Sequence, residues 1–346
     1  MTDNLTLASL TTIGVGGVPE KLRTAFTREE VISEAQAMWS EAEDWLIIGG
    51  GSNLVIADEV PDLEVLHVQS QGVSSSLTPD GRVLLRVQAG ETWDDLVAGT
   101  VQAGLAGLEA LSGIPGSVGA APIQNIGAYG AEAASTITRL EFLDYLTGEV
   151  RIMDKSELGF AYRDSVFKQG LQGVITWVEF ELQNFDGKSQ PIAFDQLAKA
   201  LGVDLGAQLP VGQVRDAVMK LRASKGMVLN PDDADTASCG SFFTNPIVSD
   251  RLSRTLPENA PRWEVEGSDG LQVKLSAAWL IENAGIPKGF QIPGSDAAVS
   301  SKHTLAITNR GSATAADVLQ LAEFIQVRVA NTFGVNLQPE PNIVGF

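Results

Sequence analysis

The chain has 346 residues, of which 44% are hydrophobic and 19% are charged; this composition is globular and excludes a chain that is disordered throughout. Lys and Arg total 24 and Asp and Glu total 43, so the formal charge is −19, which makes nucleic acid and anionic membranes poor partners. Cys239 is the only cysteine, which excludes an intramolecular disulfide, and no ligand spacing indicates a metal site. The N-terminus lacks the basic and apolar segments of a signal peptide, so we expect a cytoplasmic protein without membrane insertion.

The first part of the chain alternates helical and extended patterns. Thr27 and Glu30 form a capping-box pattern, which predicts a helix that ends near Ala42. A second helix is predicted from Thr92 to Gly104. Apolar runs bounded by turn residues predict strands at 45–48, 63–68, 83–87, 137–144, 148–153 and 174–182.

Three helices are predicted in the second part of the chain, at 211–223, 275–283 and 312–333. The last helix has the strongest pattern, because Thr314 and Asp317 mark its start and Gly334 marks its end. Its apolar stripe consists of Val318, Leu321, Ala322, Ile325 and Val329. The acidic run from Pro257 to Asp269 is predicted to be a solvated loop.

Two glycine-dense loops are the first candidates for ligand binding. One loop, 49–53, directly follows an apolar strand, and the other is a long uncharged stretch at 112–130. Without Cβ atoms a ligand can approach the main chain, and successive N–H groups can bind phosphate oxygens. The amides of Gln124 and Asn125 suit a flat heterocycle. Together the loops predict a cofactor with a diphosphate and a polar ring system, although tight turns would also explain them.

Three polar residues in other segments are candidates for chemistry. The forked guanidinium of Arg163 could bind a carboxylate or an enolate oxygen, although an ion pair with a neighbouring acid would also explain it. Ser241 lies beside two aromatic residues and could donate a proton, or it could be a turn serine. Glu340 stands between two prolines that fix its backbone, which suits a placed carboxylate or a plain C-terminal tail.

These segments, in this order, resemble the UDP-N-acetylenolpyruvoylglucosamine reductase family over nearly the whole chain. The resemblance is carried by TIGVGG at 12–17, GGGSNL at 49–54, the glycine-rich stretch at 111–132, YRDSVFK at 162–168, GSFFTNP at 240–246, KLSAAWLIENAG at 274–285 and LQPE at 337–340. It implies an α+β protein with a two-subdomain FAD-binding fold of the vanillyl-alcohol-oxidase type and a C-terminal α+β substrate-binding domain. The implied boundaries are 1–70 and 71–205 for the FAD-binding subdomains, 206–335 for the substrate domain and 336–346 for a segment that returns Glu340 to the active site.

The family is a flavoenzyme of peptidoglycan precursor synthesis, and the resemblance implies a role for each matching residue. NADPH, the co-substrate, reduces non-covalently bound FAD, and the enolpyruvyl ether of a UDP-sugar is then reduced. By resemblance, Ser241 donates a proton to the substrate, and Arg163 and Glu340 stabilise the charge that develops. Lys225, Asn245 and Phe194 match substrate-binding positions, although one branch of the family has a tyrosine where Phe194 stands. The implied cofactor-binding residues are Gly49, Gly50, Gly51, Ser52, Asn53, Leu54, Ser112, Gly113, Ile114, Pro115, Gly116, Gly119, Ala120, Gln124, Asn125, Ile126, Gly127, Ala128, Tyr129 and Gly130.

Two alternatives to this interpretation stay open at the level of sequence. One is a different FAD-dependent oxidase or dehydrogenase on the same scaffold, many of which attach the flavin through a histidine. The other is a flavin-binding module without catalytic activity. We expect a monomer whose partner is the UDP-sugar substrate, with no nucleic-acid partner and no metal.

Overall fold

A computed structural model describes residues 5–267 and 270–346 of the chain. The α-helices of this part are α1 (Arg28–Glu41), α2 (Trp93–Gln102), α3 (Asp195–Leu201), α4 (Val211–Ala223), α5 (Asp250–Ser253), α6 (Ala277–Asn283) and α7 (Ala315–Phe333). The β-strands are β1 (Pro19–Ala25), β2 (Asp44–Ile48), β3 (Leu54–Ile56), β4 (Val60–Val68), β5 (Val73–Leu77), β6 (Val83–Gln88), β7 (Gly127–Ala128), β8 (Ala131–Glu132), β9 (Ile137–Asp144), β10 (Val150–Asp154), β11 (Gly173–Leu182), β12 (Ile247–Ser249), β13 (Arg262–Gly267), β14 (Gly270–Leu275), β15 (Ala297–Val299), β16 (Ile307–Asn309) and β17 (Asn342–Val344).

The chain divides into two compact units. The central unit comprises residues 19–51 and 61–224, and the terminal unit comprises residues 1–18, 52–60 and 225–346. The first glycine-rich loop is therefore shared, with Gly49–Gly51 in the central unit and Ser52–Leu54 in the terminal unit. The predicted boundaries at residues 70, 205 and 335 stay a prediction.

The central unit contains a three-stranded sheet and a five-stranded sheet. The first has the order β1-β4-β2, with β2 and β4 parallel, and the second has the antiparallel order β10-β9-β11-β6-β5. Fully buried Trp93 at the start of α2 contacts Phe180 edge-on at 5.9 Å, and its indole N–H donates to the Leu111 carbonyl oxygen at 3.1 Å. The core thereby anchors the chain immediately before Ser112, the first residue of the second glycine-rich loop.

The terminal unit is built around α6 and α7 with three small sheets. Their orders are β12-β14-β13, β15-β16 and a parallel pair β17-β3. The Thr314 hydroxyl oxygen accepts from the Asp317 N–H, the Asp317 carboxylate accepts from the Thr314 N–H, and Gly334 ends α7 at φ +67°. The predicted apolar stripe of this helix is buried, so its start signal, end signal and core face are confirmed.

Two predictions about the terminal unit are wrong. The predicted solvated loop at 257–269 contains β13, which pairs antiparallel with β14; residues 268 and 269 of that loop lie outside the described residues. This segment forms a strand because it pairs with β14, and an acidic sequence pattern does not show whether such a pairing strand is available. The helix predicted from Leu275 starts at Ala277, because Leu275 ends β14 and the Ser276 hydroxyl caps the helix by accepting from the Trp279 N–H.

No helix in residues 5–267 and 270–346 is long and apolar enough to cross a membrane. Nor does this part of the chain bring together three or more His, Cys, Asp or Glu side chains that could hold a metal ion.

Candidate active site

In the central unit, the two glycine-rich loops lie against each other main chain to main chain. A Cβ added at Gly50 would lie 2.6 Å from the Cα of Gly116, and one added at Gly49 would lie 2.0 Å from the Ser117 hydroxyl oxygen. Real Cβ atoms do not approach main-chain atoms so closely, so the contact with Gly116 requires glycine at position 50. The spacing between Gly49 and Gly116 along the chain gives no sign of this contact.

The second loop is fixed by hydrogen bonds to the turn between β6 and α2. The Gly119 N–H donates to the Ala89 carbonyl oxygen at 2.8 Å, and the Val118 N–H donates to that of Glu91 at 2.9 Å. Gly113 and Gly116 have φ of +71° and +119°, which L side chains rarely adopt. The loop therefore holds one defined conformation and presents peptide groups without Cβ atoms.

The residues of these loops fit a flavin nucleotide. The peptide groups of Gly49–Gly51 and of Gly116 lack Cβ atoms and suit the diphosphate, since main-chain N–H groups can bind anions without a fixed cation. When bound there, FAD would supply hydride-transfer chemistry, and the assignment of each loop residue to it stays a prediction.

Asp94, an acidic residue outside the set predicted from the sequence, fixes the second loop. The Asp94 carboxylate in the first turn of α2 accepts from the Gly113 N–H at 2.6 Å and from both Nη atoms of Arg215 in α4, at 2.6 and 2.9 Å. Burial raises the pKa of Asp94, but the hydrogen bonds from Arg215 and Gly113 lower it by more, so its net pKa is below the ordinary value. The sequence signal that could have indicated this role is the pair of acidic residues, Asp94 and Asp95, in the first turn of the predicted helix at 92–104.

Arg163 lies in a tight turn of the central unit. Ala161 and Asp164 exchange two main-chain hydrogen bonds, and Arg163 between them has φ +55°. Its Nη2 donates to the Gly127 carbonyl oxygen at 2.6 Å, and a Cβ at Gly127 would lie 3.0 Å from its Nη1. The half-buried guanidinium is thus held against the second glycine-rich loop.

Phe194 is 41% exposed and contacts Tyr129 edge-on, with ring centroids 5.9 Å apart. It directly precedes α3, and the Cβ of neighbouring Ala193 would lie 3.4 Å from a Cβ added at Gly130. The predicted substrate-binding aromatic therefore lies beside the end of the predicted cofactor loop. Its contact with substrate stays a prediction.

In the terminal unit, the structure brings Ser241, Glu340 and Asn53 to neighbouring segments. Ser241 is half-buried and follows Gly240, which has φ +74°. The Glu340 N–H donates to the Phe242 carbonyl oxygen at 2.9 Å, and the Asn53 side-chain amide donates to the Glu340 carbonyl oxygen at 3.3 Å. Two of the three predicted catalytic residues thus share one unit with the end of the first glycine-rich loop, whereas Arg163 belongs to the central unit.

The two remaining predicted substrate residues also belong to the terminal unit. The Asn245 side-chain oxygen accepts from the Ala277 N–H at 3.0 Å, at the start of α6. Lys225 is half-buried and precedes Gly226, which has φ +66° and approaches the main chain of Asp235. Asn245 is therefore fixed to a helix start, and the substrate contacts of both residues stay predictions.

Comparison with known proteins identifies both parts of the fold. Residues 19–154 match an FAD binding domain, and residues 231–344 match the UDP-N-acetylenolpyruvoylglucosamine reductase C-terminal domain. With the mixed helix and strand content, these matches confirm the predicted α+β fold with an FAD-binding region and a distinct C-terminal domain.

Full-length relatives and a solved structure agree with these matches. The chain is 52% identical to a UDP-N-acetylenolpyruvoylglucosamine reductase of Leifsonia xyli, covering 100% of this chain and 99% of the relative. It is 46% identical to one of Thermobifida fusca, covering 99% and 97%. The crystal structure of the reductase from Thermus caldophilus is similar at 27% identity and a TM-score of 0.65, covering 99% of this chain and 98% of that one. The chain therefore belongs to the UDP-N-acetylenolpyruvoylglucosamine reductase family.

Proposed function

We propose that this protein is an NADPH-dependent flavoenzyme that reduces the enolpyruvyl ether of UDP-N-acetylglucosamine-enolpyruvate to UDP-N-acetylmuramate. The carrying observation is full-length similarity to proteins named for that reductase, at 52% and 46% identity. The FAD binding domain match over residues 19–154 supports the flavin as its cofactor. The product is a peptidoglycan precursor, which links the reaction to cell-wall synthesis and hence to cell shape and division.

The roles proposed for the side chains follow from where charge develops on the substrate. Addition of hydride to one carbon of the enol ether leaves negative charge on the carbon beside the carboxylate. Ser241 holds the proton that this carbon needs, and general acid catalysis of this kind contributes about 10²–10⁴-fold in rate. Arg163 and Glu340 stabilise the developing charge, and one such placed group contributes about 2.7–4 kcal/mol to the transition state.

The main chain of the terminal unit supports a shared role for Ser241 and Glu340. Their segments are joined by the Glu340–Phe242 hydrogen bond, by the Thr244 N–H donating to the Gln338 carbonyl oxygen at 3.1 Å, and by a bridge between Phe243 and Pro339. The rings of Phe242 and Phe243 are buried in the core, so the loop cannot shift without exposing them. This rigidity suits a proton donor, because proton transfer depends on fixed geometry.

The finer parts of the proposal concern substrate binding, location and assembly. Lys225, Asn245 and Phe194 bind the UDP-sugar, and Lys225 supplies local positive charge in a chain of net charge −19. The protein acts as a monomer in the cytoplasm, where a single cysteine stays reduced. Light scattering of the protein as it elutes from a size-exclusion column should give the mass of one chain. The mass of two chains would contradict the proposed monomeric state.

The function is tested by spectroscopy and turnover of the purified protein. We expect flavin absorbance bands, release of the yellow colour on acid denaturation, and NADPH oxidation that requires the enolpyruvyl UDP-sugar. Mass spectrometry should show a product two hydrogens heavier than the substrate. NADPH oxidation that ignores the UDP-sugar would contradict the proposal, and colour retained by the denatured chain would favour a covalent flavin oxidase.

A further inference from the structure

The main chain at Arg163 adopts a conformation that arginine disfavours. Arg163 is the third residue of the four-residue turn from Ala161 to Asp164, and its φ is +55°. Glycine or asparagine is usual at this position, and other residues there cost about 1–3 kcal/mol each. Such a conformation persists only when surrounding contacts hold it, so the contacts of this turn identify what places Arg163.

Two hydrogen bonds join this turn to the second glycine-rich loop, one on each side of Arg163 in the sequence. Before it, the Asn125 side-chain amide donates to the Ala161 carbonyl oxygen at 3.0 Å. After it, the Ser165 hydroxyl donates to the Ile123 carbonyl oxygen at 2.5 Å. The guanidinium itself donates to Gly127, so the loop at 123–127 contacts the turn at three points.

Asn125 makes the central contact, and its side chain is committed to it. The residue is 0% exposed. Its Nδ2 donates to the Glu132 carboxylate at 2.8 Å as well as to Ala161, and its Oδ1 accepts from the Ala134 N–H at 2.9 Å. An amide nitrogen has two N–H donors, and both are used here. A side chain with no remaining N–H cannot also donate to a flavin ring.

We infer that Asn125 is a positioning residue for Arg163, acting through the Ala161 carbonyl oxygen with Glu132 as its anchor. This role differs from the direct cofactor contact that the sequence predicted for its amide. Asn125 itself has φ +48°, which asparagine tolerates better than most residues. The catalytic role of Arg163 in this inference rests on the proposed function. The coupling of Asn125 to the turn is independent of that function.

The test removes the amide without adding backbone strain. In Asn125→Gly, glycine tolerates the positive φ, so the loss of the side chain is not compounded by backbone strain. We expect FAD affinity and NADPH-dependent flavin reduction to stay within about twofold, since the variant removes no flavin contact. Reoxidation by the enolpyruvyl UDP-sugar should slow at least about tenfold, with kcat falling more than KM changes, because placed groups act on the chemical step. Hydrogen exchange at the amides of residues 161–166 should become faster.

A double-mutant cycle separates positioning from general destabilisation. If Asn125 acts through Arg163, the variant N125G/R163M should reoxidise no more slowly than R163M alone. Additive losses would overturn the inference. The control is Asp144→Ala, which removes two hydrogen bonds, from Leu146 and Thr147, in another turn of the same unit. We expect this control to leave reoxidation and exchange at 161–166 unchanged.

The outcomes also distinguish failure of this inference from failure of the proposed function. A wild-type protein without turnover would contradict the proposed function, and exchange at 161–166 would still decide the coupling. A tenfold or greater loss of FAD affinity in N125G with unchanged exchange would overturn the inference in favour of direct flavin contact. If N125G does not fold, Glu132→Gln provides a second test, because it removes the charge of the carboxylate that anchors Asn125. We expect slower reoxidation and faster exchange at 161–166 in E132Q, both to a smaller extent than in N125G. Unchanged reoxidation and exchange in E132Q would overturn the inference.

Discussion

The main-chain N–H of Glu340 donates a hydrogen bond of 2.9 Å to the carbonyl oxygen of Phe242, the residue after Ser241. This bond fixes the proposed proton donor and a proposed charge-stabilising carboxylate on adjacent segments of one unit. Asn342 continues the contact, since its N–H donates to the Asn53 carbonyl oxygen at 3.0 Å and its strand β17 runs parallel to β3. The C-terminal segment is thereby tied to the chain that leaves the first glycine-rich loop.

Replacing Ser241 with alanine should separate the two halves of the reaction. We expect flavin content and the rate of NADPH-dependent flavin reduction to be unchanged, because no flavin role is assigned to this hydroxyl. Reoxidation by the enolpyruvyl UDP-sugar should slow about 10²–10⁴-fold for want of a proton donor. Stopped-flow absorbance measures both steps. The control Ser249→Ala, at the exposed cap of α5, should leave reoxidation unchanged, and normal turnover in S241A would remove Ser241 from the mechanism.

Replacing Gly50 with alanine should disrupt the contact between the glycine-rich loops. The added Cβ would lie 2.6 Å from Gly116 Cα, a main-chain atom that cannot rotate away, so the loops must separate. We expect a drop in thermal stability and at least about tenfold weaker FAD binding, measured by quenching of flavin fluorescence. Gly99→Ala is the matched control, because exposed Gly99 lies inside α2 with open space around it. This variant should be more stable to unfolding by about 0.5–1 kcal/mol, since alanine favours a helix over glycine. Unaltered FAD affinity in G50A would contradict the role of this contact.

Replacing Asp94 with asparagine should lower stability in a pH-dependent way. The folded-state pKa of Asp94 is below its ordinary value, so its contribution is fully present above that ordinary value, about 3.9, and is lost as the pH falls through the lowered pKa. We expect Asp94→Asn to cost about 1.5–3 kcal/mol at pH 7, and the difference from wild type to shrink below about pH 4. Urea midpoints from pH 7 to pH 3 measure this difference.

The neighbouring substitution Asp95→Asn is the control for Asp94→Asn. Asp95 is exposed on the same turn of α2, so its loss should cost only about 0.3–1 kcal/mol through the helix dipole. Equal losses in the two variants at pH 7, or a D94N deficit as large at pH 3 as at pH 7, would contradict a charge-dependent contribution of the Arg215 and Gly113 contacts to stability.

Replacing Phe194 with tyrosine should change substrate affinity more than the chemical step. The ring is 41% exposed, so a hydroxyl can be added without disturbing the core. One added hydrogen bond to the substrate diphosphate, of about 0.5–1.5 kcal/mol, should lower KM about two- to tenfold with kcat nearly constant. Steady-state kinetics measures both, with Phe324→Tyr on the exposed side of α7 as the control. An unchanged KM would indicate that this loop does not reach the diphosphate.

Local signals in the sequence determined the elements whose stabilising contacts lie within a few residues. The start of α1 at Thr27 and both ends of α7 were predicted because caps and left-handed glycines act over one helical turn. The glycine-rich loops and the family were evident from short motifs. The sequence could therefore supply the fold class and the identity of most candidate residues.

Only the tertiary structure decided which segments meet. The approach of Gly50 to Gly116, the Asp94 contacts with Gly113 and Arg215, and the strand pairing of β13 all join residues that are distant in sequence or depend on a partner segment. Periodicity reports which face of an element is apolar and says nothing of its partner. The same reason separates the predicted and inferred roles of Asn125: its residue type suits a heterocycle, and only the positions of Ala161, Glu132 and Ala134 show how its amide is used.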